Sequence, residues 1–274
     1  MSELALQIPK RKSKFSREIN AAITIMARDI TLFFKTPVAV IMSLAMPIVM
    51  MGMLGGSLSQ NMASGLSFDY GQFMLVGMIV NMLFMTTTMG MGSLVEDHST
   101  DFTQEMMVSP VSRYSIVIGK IFGSSFGAIV GTLGTIVVGL FMGYTLSITQ
   151  TLLILLLSPL MCLSAGALAL MIISLIKNNR TANIAISLIT MPQMFLSGAI
   201  IPINNSSGIL LWLSRCMPMT YCLDLARAVV YHGTAEYDNV VMFNPAITLT
   251  AIVVLTSAFL IAGTFIFSRS EKHR

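Results

Sequence analysis

Apolar stretches close to the roughly twenty residues needed to cross the hydrocarbon of a bilayer follow one another along this chain with little between them. They run from about Val38 to Leu58, Phe73 to Val95, Ile116 to Tyr144, Thr151 to Ile176, Asn183 to Ile203 and Ala246 to Phe267. A backbone in lipid must satisfy its own hydrogen bonds, and continuous runs of this length do so as helices. The fold expected is therefore all-α, a polytopic membrane protein with six transmembrane helices. Composition agrees: 55% of the residues are hydrophobic, 10% are charged and mean hydropathy is +0.81, which excludes an ordinary soluble domain. No signal peptide is expected, because more than thirty polar or amphipathic residues precede the first apolar run, which is too long for an h-region.

Lysine and arginine beside short loops mark the cytoplasmic side of a membrane. Lys10, Arg11, Lys12, Lys14, Arg17, Arg28 and Lys35 precede the first run, whereas the loop 60–72 has none. Arg113 and Lys120 flank the second loop, Lys177 and Arg180 the fourth, and Arg269, Lys272 and Arg274 the tail. Only Arg215 and Arg227 remain for the outside. Both termini are thus expected in the cytoplasm, on a multi-pass protein of the cell (inner or plasma) membrane. The net charge of +4 is a topology signal, and no nucleic-acid partner is read from it.

Residues 1–36 form a first region, a tail (1–14) expected to be disordered and an interfacial amphipathic helix. In "FSREINAAITIMARDITLFFK", Ile19, Ile23, Met26, Ile30 and Phe33 recur at helical spacing, while Arg17, Glu18, Arg28 and Asp29 occupy other faces. Such a helix lies along the interface with its basic residues near lipid phosphates. Residues 37–274 form the six-span domain. Within it, "GILLWLSRCMPMTYCLDLARAVVYH" is a poor seventh span, because Arg215, Asp224 and Arg227 are costly in lipid and Pro218 interrupts the helix. An outer re-entrant pair of half-helices near 204–232 is expected instead, with a plain amphipathic surface helix as the alternative.

Between the second and third runs lies "DFTQEMMVSPVSRYSIVIGK". Ser99, Thr100 or Asp101 can cap a helix, Gln104 fits a capping box with Asp101, and Pro110 stops it. About two turns result, near 99–110. Phe102 and Met106 make an apolar knob ringed by Glu96, Asp97, Asp101 and Glu105. By charge alone this is either a solvated acidic loop or a docking element for another protein.

The stretch "EDHSTDFTQEMMVSPVSRYSIVIGK" resembles the cytoplasmic loop of ATP-binding-cassette (ABC) permeases of the type-2 exporter family. Asp97, Phe102, Glu105, Met106, Pro110, Val111, Ser112, Arg113, Gly119 and Lys120 match its pattern. "MPQMFLSGAIIPINN", with Ser197, Gly198 and Pro202, and "MPMTYCLDLAR", with Pro218, Tyr221, Asp224 and Arg227, resemble two further family blocks. Asp101 stands where the family usually has glycine, and Met217 where it usually has asparagine. The resemblance implies the transmembrane subunit of an exporter, with the helix around Phe102 seated as a coupling helix, together with Arg113, on a cytoplasmic ABC ATPase subunit. It also implies a second copy of the permease. No cofactor is expected on this chain, ATP and Mg belonging to the partner ATPase, and no G-x-x-x-x-G-K-[ST] cradle occurs in it. The chain is not expected to be an enzyme.

Met78, Met82, Met85 and Met89 repeat at helical spacing, and 24 methionines occur in all. Thioethers are deformable packing groups, and no histidine or cysteine joins the stripe, so packing or a soft substrate wall is expected rather than a metal site. Asn81 beside them is costly in lipid and is expected to face the bundle interior or a cavity. Gly127, Gly131 and Gly134 read as a helix-packing row. Asp224 and Arg227, three apart, are expected to pair over the exit as an outer gate, with Tyr221 and the Pro202 turn beneath. Cys216 and Cys222 are expected as free thiols, Cys162 has no partner nearby, and His98, His232 and His273 are scattered. Amphipathic or lipid-like, drug-type molecules suit the weakly charged interior. Polysaccharide or glycolipid export is the nearest alternative, ahead of a non-ABC secondary transporter, which would normally show intramembrane acids or inverted repeats.

Overall fold

In the computed structural model, residues 14–55, 67–99, 112–176, 178–203 and 208–272 are described. They form helices throughout, with no strand among them. In chain order these are α1 (Lys14–Lys35), α2 (Pro37–Val49) with a π-helical continuation (Met50–Gly55), α3 (Tyr70–Ser99), α4 (Arg113–Phe141), α5 (Ile148–Ser174), α6 (Asn179–Leu196), α7 (Ile209–Cys216), α8 (Pro218–Val230), α9 (Tyr237–Val240) and α10 (Pro245–Lys272). Among the described residues, each apolar run is largely helical. The starts carry local chemistry: Asp69 accepts from Gly71 N ahead of α3, Ser112 caps α4, and Ser147 with Gln150 forms a capping box on α5.

Four segments, Tyr70–Ser93, Tyr114–Phe141, Ile148–Ser174 and Tyr237–Ile266, are long and apolar enough to cross a membrane. Counting α1 and α2 as one broken span, bent by 70°, gives up to five. The helix of the fifth apolar run, α6, has only 18 residues and includes Arg180 and Gln193, so length and composition alone do not establish six spans. The tail 1–13 lies outside the described residues.

The centre is α3, which packs on α4, α5, α6 and α8. Its Phe73, Leu83 and Phe84 join Ile154 and Met161 of α5 and Leu223 of α8 in the larger hydrophobic core. A second core gathers Ile121, Leu170, Ile173 and Ile186 from α4, α5 and α6. Packing on α5 and α8, α10 closes the bundle.

The expected glycine row on α4 is longer than its sequence pattern and holds two elements. A Cβ at Gly119 would lie 2.7 Å from the Ala22 carbonyl oxygen, and one at Gly123 2.8 Å from Asp29 Cβ, so α1 sits almost backbone to backbone on α4. Farther along, Gly134 meets Leu44 of α2. This seat turns α1 in an unexpected way. Glu18 and Asp29 point into α4, where they bond, and Phe15, Ile19 and Ile23 are exposed. Glycine makes the difference, because without side chains on α4 the polar edge of α1 comes close enough to hydrogen-bond.

At Pro218 the segment 208–232 breaks into α7 and α8, as expected. Eleven of the thirteen α8 residues are buried, Arg227 among them. That is not the pattern of an amphipathic helix lying on a surface.

A close backbone contact lies between α3 and the turn after α6, where a Cβ at Gly77 would fall 2.0 Å from the backbone oxygen of Ala199. Gly77→Ala is therefore expected to separate these elements at a cost of about 1–3 kcal/mol. Thermal unfolding of the detergent-solubilised protein checks this, and an unchanged midpoint refutes the close seat.

Candidate functional site

The methionine stripe of α3 opens into a cavity of about 700 Å³. Met78, Asn81, Met82, Met85 and Met89 all line it, which joins the residues named from spacing. Facing them are Met42 and Met46 of α2 with Met50 just beyond, and Met191 and Met194 of α6. These five were not anticipated as cavity residues. Met42, Met46 and Met50 repeat every four residues and carried a signal; the α6 pair met the stripe only through the fold.

One end of this cavity is charged. Lys120 Nζ of α4 lies 3.0 Å from Asp29 Oδ2 and 3.2 Å from Oδ1 of α1, both side chains nearly buried. Both line the cavity, with Arg28 beside them. A buried pair of this kind fixes geometry more than it stabilises, because desolvation offsets most of the Coulomb gain. Asn81 of α3 also lines the cavity, 7% exposed, and its Nδ2 meets no acceptor.

At the opposite end of α3, α8 ties three elements together. Arg227, 2% exposed, donates from Nη2 to the Gly198 carbonyl at 2.7 Å and sets its guanidinium carbon 3.7 Å from the centroid of the Phe73 ring. Tyr70 donates to the Ile200 carbonyl at 2.8 Å, so two side chains grip one turn, which Gly198 forms at φ +85°. Ser197 is buried in that turn and Pro202 half-buried after it. The Asp224 carboxylate accepts from Met242 N (2.6 Å), Phe243 N (3.2 Å) and Thr248 Oγ1 (3.0 Å), which fixes the start of α10. Tyr221 donates to the Arg215 carbonyl across the Pro218 break and stacks on Phe243.

The expected Asp224–Arg227 pair is thus replaced by two separate anchors. Spacing placed both groups on one helix, but backbone donors and acceptors of neighbouring segments lie nearer to each. The thiols of Cys162, Cys216 and Cys222 are free.

Most of the expected docking element lies outside the described residues: Asp101, Phe102, Glu105, Met106 and Pro110 fall there, as do the side chains of Glu96, Asp97 and Arg113. The backbones of Glu96 and Asp97 belong to the end of α3, and Arg113 opens α4. Immediately after that segment, Glu18 of α1 accepts from Ser112 N (2.8 and 3.0 Å) and from Ser115 Oγ (2.6 Å). A carboxylate so placed neutralises the positive end of the α4 dipole. Sequence gave no signal for this contact, since Glu18 and Ser112 are 94 residues apart.

The family model for the ABC-2 type transporter matches residues 20–231, which takes in most of α1, the cavity and α8. The chain belongs to the ABC-2 type transporter family. No curated protein matches it. An ABC-2 permease subunit is a transmembrane component and not itself the catalytic one, in keeping with the apolar helices described above.

Asp224→Ala in this permease would leave two backbone N–H groups without acceptors, at about 1–3 kcal/mol for each buried donor. A lower unfolding midpoint and faster hydrogen exchange at Met242 and Phe243 are expected. Exchanging the charges, Asp224→Arg with Arg227→Asp, is expected to restore nothing, because it sets donors against donors and a carboxylate against a carbonyl. Recovery in the exchanged variant would show that the two groups act as a pair after all.

Proposed function

We propose that this ABC-2 permease is the transmembrane subunit of an ATP-driven exporter that moves amphipathic or lipid-like small molecules, of drug type, outward across the cell membrane. The observation that carries this reading is the cavity. Its 700 Å³ lies within the usual range for small-molecule sites, its walls are thioethers that repack around differing shapes, and one end is charged. A polymer such as a polysaccharide calls for a continuous polar path, which this lining lacks.

In this reading the six apolar runs span the bilayer with both termini in the cytoplasm. Lying at the cytoplasmic interface, α1 places the Asp29–Lys120 end of the cavity near the inner surface, and α7 with α8 form a re-entrant pair towards the outside. The tie between α8, the Gly198 turn and α10 then holds the exit closed. A homodimer of this chain with two cytoplasmic ATPase subunits completes the transporter, the path lying on the two-fold axis. ATP and Mg are handled by the partner.

The segment around Phe102 is the proposed seat of that partner. Phe102→Asp removes the apolar knob and puts charge into a desolvated contact. The wild-type complex is expected to contain two permease and two ATPase chains by mass, and the variant to stay in the membrane but lose its ATPase or its substrate-stimulated ATP hydrolysis. Normal stimulation in the variant, or a wild-type complex with one permease chain, sinks the reading.

A further inference from the structure

The outward face of α7 is that of a helix in contact with lipid. Ile209 is 79% exposed and Trp212 65% exposed, with Leu210 open beside them, while Ser214 is buried against the protein. The helix repeat sets Ile209, Trp212 and the exposed Cys216 on one side, with the exposed Arg215 at its edge next to Trp212. An apolar centre with an aromatic ring and a basic edge suits the boundary between headgroups and acyl chains. Eight residues give α7 a length of about 12 Å, far short of the hydrocarbon thickness, so it occupies one boundary and does not cross. Its last turn is fixed to α8: the Ser214 carbonyl accepts from Met217 N (3.0 Å) and Thr220 Oγ1 (2.7 Å), and the Arg215 carbonyl from the Tyr221 hydroxyl (2.8 Å). The face is therefore presented in one orientation.

Charge selects the lipid. Residues 203–223 contain no aspartate or glutamate, and Arg215 is their single charged group. The next carboxylate in sequence, that of Asp224, is taken up by Met242 N, Phe243 N and Thr248 Oγ1. The Arg215 guanidinium carbon stands 5.7 Å from the centroid of the Phe243 ring, on which Tyr221 stacks, and among the described residues no group accepts from its N–H donors. A lipid phosphate supplies both the acceptors and the countercharge. A zwitterionic headgroup brings a cation to the same place, whereas an anionic one does not.

We propose that α7 is a lipid-docking arm of the permease, lying at the headgroup boundary and holding an anionic phospholipid, with the lipid phosphate on Arg215 and the acyl chains along Trp212 and Ile209. The exporter reading bears on it for the leaflet alone: a re-entrant pair towards the outside puts this lipid in the outer leaflet.

Trp212 is the chain's single tryptophan, so its fluorescence reports on α7 directly. The full chain is reconstituted in liposomes of equal parts phosphatidylcholine and phosphatidylglycerol, one of the two carrying bromine on its acyl chains, either near the headgroup or near the methyl end. Bromine near the headgroup is expected to quench Trp212 at least about twofold more than bromine near the methyl end, with little quenching by aqueous acrylamide. At equal content, brominated phosphatidylglycerol is expected to quench about two- to fivefold more strongly than brominated phosphatidylcholine. Arg215→Gln is expected to abolish that preference and Arg215→Lys to keep much of it, both with the wild-type depth profile. Quenching by acrylamide but not by bromine puts the face in water and overturns the proposal. Protection from both puts a second copy or another protein over it and also overturns it. So does a wild-type chain without the phosphatidylglycerol preference, or an Arg215→Gln chain that keeps it; the wild-type comparisons stand whether or not a variant folds. The leaflet is read separately, from Ala235→Cys in the exposed turn after α8, combined with Cys216→Ser. Labelling by a membrane-impermeant maleimide from outside is expected, and labelling only from the cytoplasmic side defeats the outward orientation of the exporter reading while leaving the lipid contact in place.

Discussion

Hydrocarbon offers no hydrogen bonds, and the polar groups that join the helices of this chain find their partners within the protein. That constraint decides where the helices are joined. Between α1 and α4 the partners are Glu18 with Ser112 and Ser115, and Asp29 with Lys120. At the far end of α3 they are Tyr70 and Arg227 on the turn after α6, and Asp224 on the start of α10. Each contact links elements distant in sequence, and each replaces water that the membrane does not supply. Packing between the joints is left to apolar side chains and to glycine seats.

The apolar part of this arrangement was legible in the sequence. A run of twenty apolar residues has one stable form in lipid, so each such run proved largely helical among the described residues, and Pro218 marked the break before α8 without any tertiary information. The methionine stripe of α3 and Asn81 were visible for a similar reason, since one helix repeat places them on one face. What the sequence did not disclose was which distant groups would compete for a polar side chain. Asp224 and Arg227 have the spacing of a local pair, yet the carboxylate accepts from two backbone N–H groups of a segment eighteen and nineteen residues away. The same limit hid Glu18, whose acceptor role depends on α1 lying against the start of α4.

The orientation of α1 shows how the glycine row altered a correct local reading. Periodicity assigned its apolar stripe, and the stripe exists, but Phe15, Ile19 and Ile23 lie on the outside while the edge that carries Glu18, Ala22 and Asp29 meets α4. An amphipathic helix normally turns its apolar face to the protein because water covers the other side. Beside a membrane that preference weakens, since lipid accepts the apolar face, and the helix is free to offer its hydrogen-bonding edge to a neighbour whose glycines admit close approach. The row that looked like a contact between spanning helices is in part the cradle of α1.

The cavity lies between two regions held by directional bonds and is itself walled by groups without directional preference. Hydrogen bonds at 2.6–3.2 Å define one geometry and are lost when it changes, as at Arg227 and Glu18. Thioether contacts change little in energy when an unbranched side chain rotates to another rotamer. Met82, Met85 and Met194 can therefore shift while the joints at either end stay intact. Asn81 is a polar group within that soft wall, and its Nδ2 has no protein partner. Adaptable and fixed parts of the cavity wall thus come from different helices: the methionines of α3 can repack, whereas the Asp29–Lys120 contact between α1 and α4 holds one arrangement.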